Sequence, residues 1–180
     1  MGTSSGKPQK SPPPIRIIGC GRALRRDDQV GLVIAKALRE HAARLNEKGT
    51  RISVETTEAP GAELFISEDP DRHSLLIIID AAHATQDVAP GTCTRIDYHA
   101  QPQRVGAKCR TNTHTLGVDA ALETAAVLGL LPKTVWVYAV AGEKFGYSDE
   151  LSPAVRASVN DLPGRIERDV QSWLSQYEKK

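Results

Sequence analysis

Residues Leu75-Leu76-Ile77-Ile78-Ile79 form an unbroken run of five large apolar side chains that ends in Asp80. A strand wetted on one face alternates apolar and polar residues. A run without alternation has apolar matter on both faces, the situation of a parallel strand covered by helices above and below. The rest of the chain supplies those layers in alternation. Residues 15–19 read as a strand, 28–46 as a helix, 52–56 as a strand after Gly49, and a short helix is expected after Gly61. Residues 92–98 follow as a strand suited to an edge. Thr113 to Leu130 reads as a helix with Leu116, Ala120, Val127 and Leu131 on one side, ended by Pro132. Val135 to Val140 is the last strand, and Ser152-Pro153 opens a C-terminal helix as N-cap and first helical residue. The expected fold class is α/β, three-layer, a mostly parallel twisted sheet with helices on both faces.

The 180 residues, 40% of them hydrophobic, suit one such domain over 15–180. Residues 1–14, MGTSSGKPQKSPPP, hold no apolar anchor beyond the initiator and read as a disordered tail. A formal net charge of +1 gives no electrostatic footprint for nucleic acid or a membrane surface. Cys20, Cys93 and Cys109 are odd in number and contain no Cys-x-x-Cys pair, which argues against a disulfide scaffold or a zinc knuckle. A reducing cytoplasm is the expected compartment, with no membrane anchor.

The turn after the first strand, GCGRALRRDDQVG (residues 19–31), occupies the place where many α/β proteins bind a nucleotide. The dinucleotide pattern fails there, because Leu24 stands where the third glycine should let the helix approach the strand. A phosphate-binding loop fails as well, since Asp27 and Asp28 would repel the phosphate. In an open parallel sheet, ligands bind at the carboxyl ends of the strands. Three polar residues map to that edge: Asp28 at the start of its helix, Asp80 as the first residue beyond the apolar run, and His114 in the first turn of the helix from Thr113.

Asp27 suffices as a helix N-cap, and acids in a first turn complement the helix dipole. Asp80 demands more, because a carboxylate beside so much apolar surface must find a partner or a cation. A helix N-terminus disfavours imidazolium and keeps a His114 lone pair available. Two carboxylates and a neutral imidazole together suit a divalent transition metal such as nickel, zinc or manganese, with coordination positions left open. No Gly-x-Ser-x-Gly surrounds Ser74, Ser148 or Ser152, and no cysteine lies in a Cys-His signature. His41, His73, His83 and His99 share no zinc-peptidase spacing and read as surface residues, with His83 set apart because it lies just past Asp80; Cys20 reads as a small buried residue.

Gly19-x-Gly21, Leu24-x-x-Asp27-Asp28-x-x-Gly31, an apolar strand ending in Asp80, and Thr113-His114 opening a helix occur in this order, followed by Phe145-Gly146-Tyr147-Ser148-Asp149-Glu150-Leu151-Ser152-Pro153. This set resembles the maturation endopeptidases of nickel-iron hydrogenases, from Ile15 to the C-terminal helix. The resemblance implies a site-specific endopeptidase that removes the C-terminal extension of a nickel-iron hydrogenase large-subunit precursor. The nickel would travel in the substrate as the recognition signal, and the enzyme would hold no tight cofactor of its own. Asp28, Asp80 and His114 match the family's metal-contacting positions, and no residue is assigned as the catalytic group. Arg22, where the family usually has Asn, forms with Arg25 and Arg26 a basic cluster suited to an acidic part of the precursor. The family's Asp-Gly-Gly-Thr segment, associated with substrate choice, is replaced here by Thr56-Thr57-Glu58-Ala59-Pro60-Gly61, which makes Gly61 a substrate-binding candidate. The usual Ile-Glu-Pro before Phe145 is absent too.

That replaced segment motivates an alternative, a non-proteolytic, metal-dependent checkpoint or chaperone protein that binds the large subunit without cutting it. A nucleotide or sugar-phosphate enzyme would rest on fold analogy alone. The protein is expected to act as a monomer.

Overall fold

The computed structural model describes residues 14–61, 75–108 and 117–177. Its elements run β1 (Pro14–Cys20), a short 3-10 turn (Arg26–Gln29), α1 (Val30–Glu47), β2 (Arg51–Thr57), β3 (Leu75–His83), β4 (Cys93–Asp97), α2 (Pro102–Lys108), α3 (Val118–Val127), β5 (Thr134–Gly142) and α4 (Pro153–Tyr177). The strands form one sheet in the order β2-β1-β3-β5-β4. Four are parallel, and β4 closes one edge antiparallel to β5. The three-layer α/β expectation is met, edge strand included.

The unbroken apolar run explains the layering. Successive residues of β3 point to opposite faces. Leu75, Ile77 and Ile79 join Ile15 and Ile17 in a core roofed by α1 and α4. Leu76 and Ile78 join Ile18, Val135 and Val137 in a second core under α2 and α3. No described helix is long and apolar enough to cross a membrane.

Several expectations are corrected. Asp80 does not follow the strand but lies inside it: β5 runs on to Gly142, so the ladder continues to the pair His83–Gly142. The helix expected from Asp28 begins at Val30, after the 3-10 turn that carries both aspartates. In α3 the buried residues are Val118, Ala121, Leu122 and Ala125, while Val127, assigned inward from the sequence, is exposed. The helix α2 was not expected at all. The helix expected after Gly61, the first turn from Thr113, and His114 itself lie outside the described residues, as do residues 1–13.

The glycine missing from the dinucleotide pattern has a substitute. A Cβ on Gly31 would lie 2.1 Å from the Cys20 carbonyl oxygen and 2.3 Å from that of Ile79. Gly31 thus brings the start of α1 against both β1 and β3, as the third glycine of a nucleotide turn would. Gly19 faces it, and a Cβ there would meet the Gly31 carbonyl at 2.2 Å.

Candidate functional site

The chain passes from β1 through α1 to β2 on one side, then crosses to β3 on the other side of β1. Beyond the carboxyl ends of β1 and β3 the connections diverge, and it is in the cleft outside such a switch point that open α/β sheets bind their ligands. β1 pairs with β3 only as far as Gly19 and Ile79, and Asp80 is the next residue. Asp80 therefore sits where its neighbour strand leaves off.

The two adjacent aspartates of the 3-10 turn have separate duties. Asp27 is fully buried. Its Oδ2 accepts the backbone N–H of Glu143 at 2.9 Å and of Lys144 at 3.0 Å, and its Oδ1 accepts that of Ser152 at 2.7 Å. The Ser152 hydroxyl donates to Oδ2 at 2.9 Å. Burial alone would raise its pKa, but these hydrogen bonds to the anion outweigh it and hold the carboxyl below the usual range. Asp27 is therefore no N-cap. Gln29 holds that position on α1 without a side-chain cap, and Asp27 instead staples the β1–α1 turn to the β5–α4 loop. Arg26 N–H donates to the Ser148 carbonyl, Ser148 N–H to the Leu24 carbonyl, Asp27 N–H to the Lys144 carbonyl, and the Gln29 side chain to the Asp149 carbonyl. A side chain on Gly142 would strike the Asp27 Cβ at 2.7 Å and the Phe145 ring at 2.9 Å.

Asp28 is left for the cleft. Burial raises its pKa, while the charges of Arg22, Arg25 and His83 pull it back. Asp80 is nearly inaccessible, and burial, reinforced by the charge of Asp28 and of Asp119 and opposed by the Ala81 N–H, pushes its pKa up to about 7. Two carboxylates that disfavour each other's charge at a sheet edge make a place where a cation is favoured.

Arg22 and Arg25 act on Asp28 through charge, and Arg26, beside Gly146, belongs to the same stapled turn. Gly61 lies beyond β2 on the same edge, where the Gly21 N–H donates to the Thr57 carbonyl. His114 lies outside the described residues, shortly before Gly117, the N-cap of the α3 whose Asp119 acts on Asp80. Among the described residues no group of three or more His, Cys, Asp or Glu is placed to hold a metal ion.

His83 is exposed, as expected of a surface residue, but it lies close to the acids. It ends β3, stacks on Phe145 with ring centroids 4.3 Å apart, and its charge favours the anionic form of Asp28. Its position just past Asp80 was the signal that set it apart from the other histidines. Cys20 is buried as expected, and the Oε2 of Glu167 sits against Nδ1 of His41, which is half-buried rather than on the open surface.

Comparison with known proteins identifies the family and the fold. The family model described as HycI, hydrogenase maturation protease, matches residues 61–169, a span that holds Asp80 and His114 and begins after Asp28. The hydrogenase expression/formation protein HupD of Thiocapsa roseopersicina is 25% identical over 162 residues, covering 85% of this chain and 69% of that protein. Among solved structures, the hydrogenase maturating endopeptidase HybD of E. coli superposes with a TM-score of 0.66 at 24% identity, covering 88% of this chain and 93% of that one. The [NiFe] hydrogenase maturation protease HycI of Thermococcus kodakarensis KOD1 gives 0.64 at 19% identity, covering 87% and 92%. These structures share the fold. The family match spans more than half of the sequence, so the chain belongs to the hydrogenase maturation protease family and is by that membership a peptidase.

Proposed function

We propose that the peptidase acts at the switch-point cleft, on a nickel-iron hydrogenase large-subunit precursor whose nickel is contacted by Asp28, Asp80 and His114. The observation that carries this reading is the buried carboxylate of Asp80, one residue past the end of the β1–β3 ladder and near enough to the turn of Asp28 for the two charges to repel. A divalent ion borne by the substrate relieves that repulsion and lets Asp80 give up its proton. Two carboxylates and one imidazole leave coordination positions to the substrate, so the ion docks without being taken from its owner. Docking then sets one peptide bond at the cleft, and a positioned water attacks its carbonyl as part of an effectively unimolecular event. The arginines Arg22, Arg25 and Arg26 receive acidic groups of the precursor, and Gly61 lines the approach from β2.

The test is the intact mass of nickel-loaded precursor before and after incubation with the wild type, Asp80→Ala and Asp28→Ala, each variant first shown folded by thermal melting. Loss of a single C-terminal peptide with the wild type alone supports the reading. An unchanged mass beside a stable complex overturns it in favour of a checkpoint binder.

A further inference from the structure

Beside the cleft, two residues other than glycine adopt left-handed backbone conformations: Leu24 at φ 60° and Arg26 at φ 51°. Side chains disfavour this region, and such positions persist only where surrounding structure fixes them. Here the reciprocal hydrogen bonds between Leu24, Arg26 and Ser148, each 2.9 Å, do so. The result is unusual for an exposed turn. The strained conformation holds Leu24 45% exposed, and across the Arg25–Ser148 bridge Tyr147 is 76% exposed. Two large apolar side chains thus stand in water on two loops locked together, Leu24 a turn before Asp28 and followed directly by Arg25 and Arg26, the latter reaching Gly146 beside Tyr147.

We infer that Leu24 and Tyr147 form the docking platform for the substrate, taking an apolar segment of the precursor flanked by acidic residues. The inference rests on the reading above and adds to it the surface that selects the partner. A rigid apolar anchor with arginines at its rim is the composition of an interaction hot spot. Leu24 and Asp28 share the β1–α1 turn, so a segment seated on the platform brings the neighbouring chain toward Asp28 and Asp80. Carboxylates in that segment complement Arg22 and Arg25.

The test uses the full chain and the large-subunit precursor encoded by the same organism, with its C-terminal extension. Equilibrium binding, KM and kcat are measured for the wild type, Leu24→Gly, Tyr147→Ser and, as control, Val127→Ser. Val127 is more exposed still, at 82%, but ends α3 near the opposite edge of the sheet. Glycine accepts the left-handed conformation, so Leu24→Gly is expected to melt no lower than the wild type while its Kd and KM rise roughly tenfold or more, with kcat retained. Tyr147→Ser behaves alike, and Val127→Ser binds as the wild type does. Wild-type Kd and KM in Leu24→Gly and Tyr147→Ser overturn the platform while leaving the peptidase reading intact. Weakened binding by these variants to a precursor that the wild type binds but does not cut upholds the platform and overturns that reading. A wild type that neither binds nor cuts overturns both.

Discussion

Ser152 donates both its backbone N–H and its hydroxyl to the carboxylate of Asp27, 125 residues earlier in the chain. A buried acid with this many donors is an anchor. Asp27→Asn keeps the shape but turns an NH2 group toward groups that are themselves donors. The expected cost is about 2–4 kcal/mol, seen as a thermal midpoint lower by roughly 5–15 °C. Because the carboxyl titrates below its unfolded value, its stabilising contribution is present above about pH 4 and fades as the pH falls through the native pKa. The melting temperatures of wild type and variant should therefore converge in acid.

Asp80 has the opposite sign. With its folded pKa raised from 3.8 to about 7, the folded state binds more protons than the unfolded chain between those values. Stability of the protein without substrate is thus greatest below about pH 4 as far as this group is concerned, and is lost as the pH rises toward 7, by on the order of 4 kcal/mol at most. Asp80→Asn should flatten that slope in denaturant titrations between pH 4 and 7.5. An undiminished slope in the variant would mean that another group causes it.

Gly31 and Gly106 make a matched pair. Alanine at Gly31 drives a Cβ into two carbonyl oxygens, whereas a Cβ at Gly106 in α2 meets nothing within 4 Å. Gly31→Ala is expected to abolish folding or to cost more than about 3 kcal/mol, since α1 must lift off the sheet. Gly106→Ala is expected to gain up to about 1 kcal/mol from helix propensity. Thermal melts of the two variants check both signs.

Tyr138 is fully buried, and its hydroxyl donates to the Asp169 carboxylate at 2.6 Å. Tyr138→Phe removes the donor and leaves Asp169 to Arg95, whose guanidinium lies 3.4 Å away and also covers the Trp136 ring. A loss of about 1–2 kcal/mol is expected, with binding and cleavage of the precursor unchanged.

The layers were legible because their signals are local. Leu75 to Ile79 could be only a strand covered on both faces, and Pro132 and Ser152-Pro153 punctuate the helices around it. The acids of the cleft were legible for the same reason, since Asp80 follows that run directly. What the sequence hid depends on partners far along the chain. Nothing near Asp27 distinguishes it from Asp28; the difference lies in Glu143, Lys144 and Ser152. His83 stood out only by lying just past Asp80, and that β3 runs on as far as His83 is decided by its pairing with β5. In α3 the apolar residues are nearly continuous, so several faces fit a core, and only the packing against Leu76 and Val135 selects the one through Leu122.

The Asp27 staple also bears on when this protein becomes an enzyme. Every donor to that carboxylate lies beyond β5, the last at the threshold of α4. A chain still being synthesised, with β1 and α1 already made, cannot fix the turn that presents Asp28 until Ser152 has emerged and found its place. The turn that presents Asp28 is consequently secured only by residues made more than a hundred positions later, and stays without its anchor for as long as the segment through Ser152 is unmade.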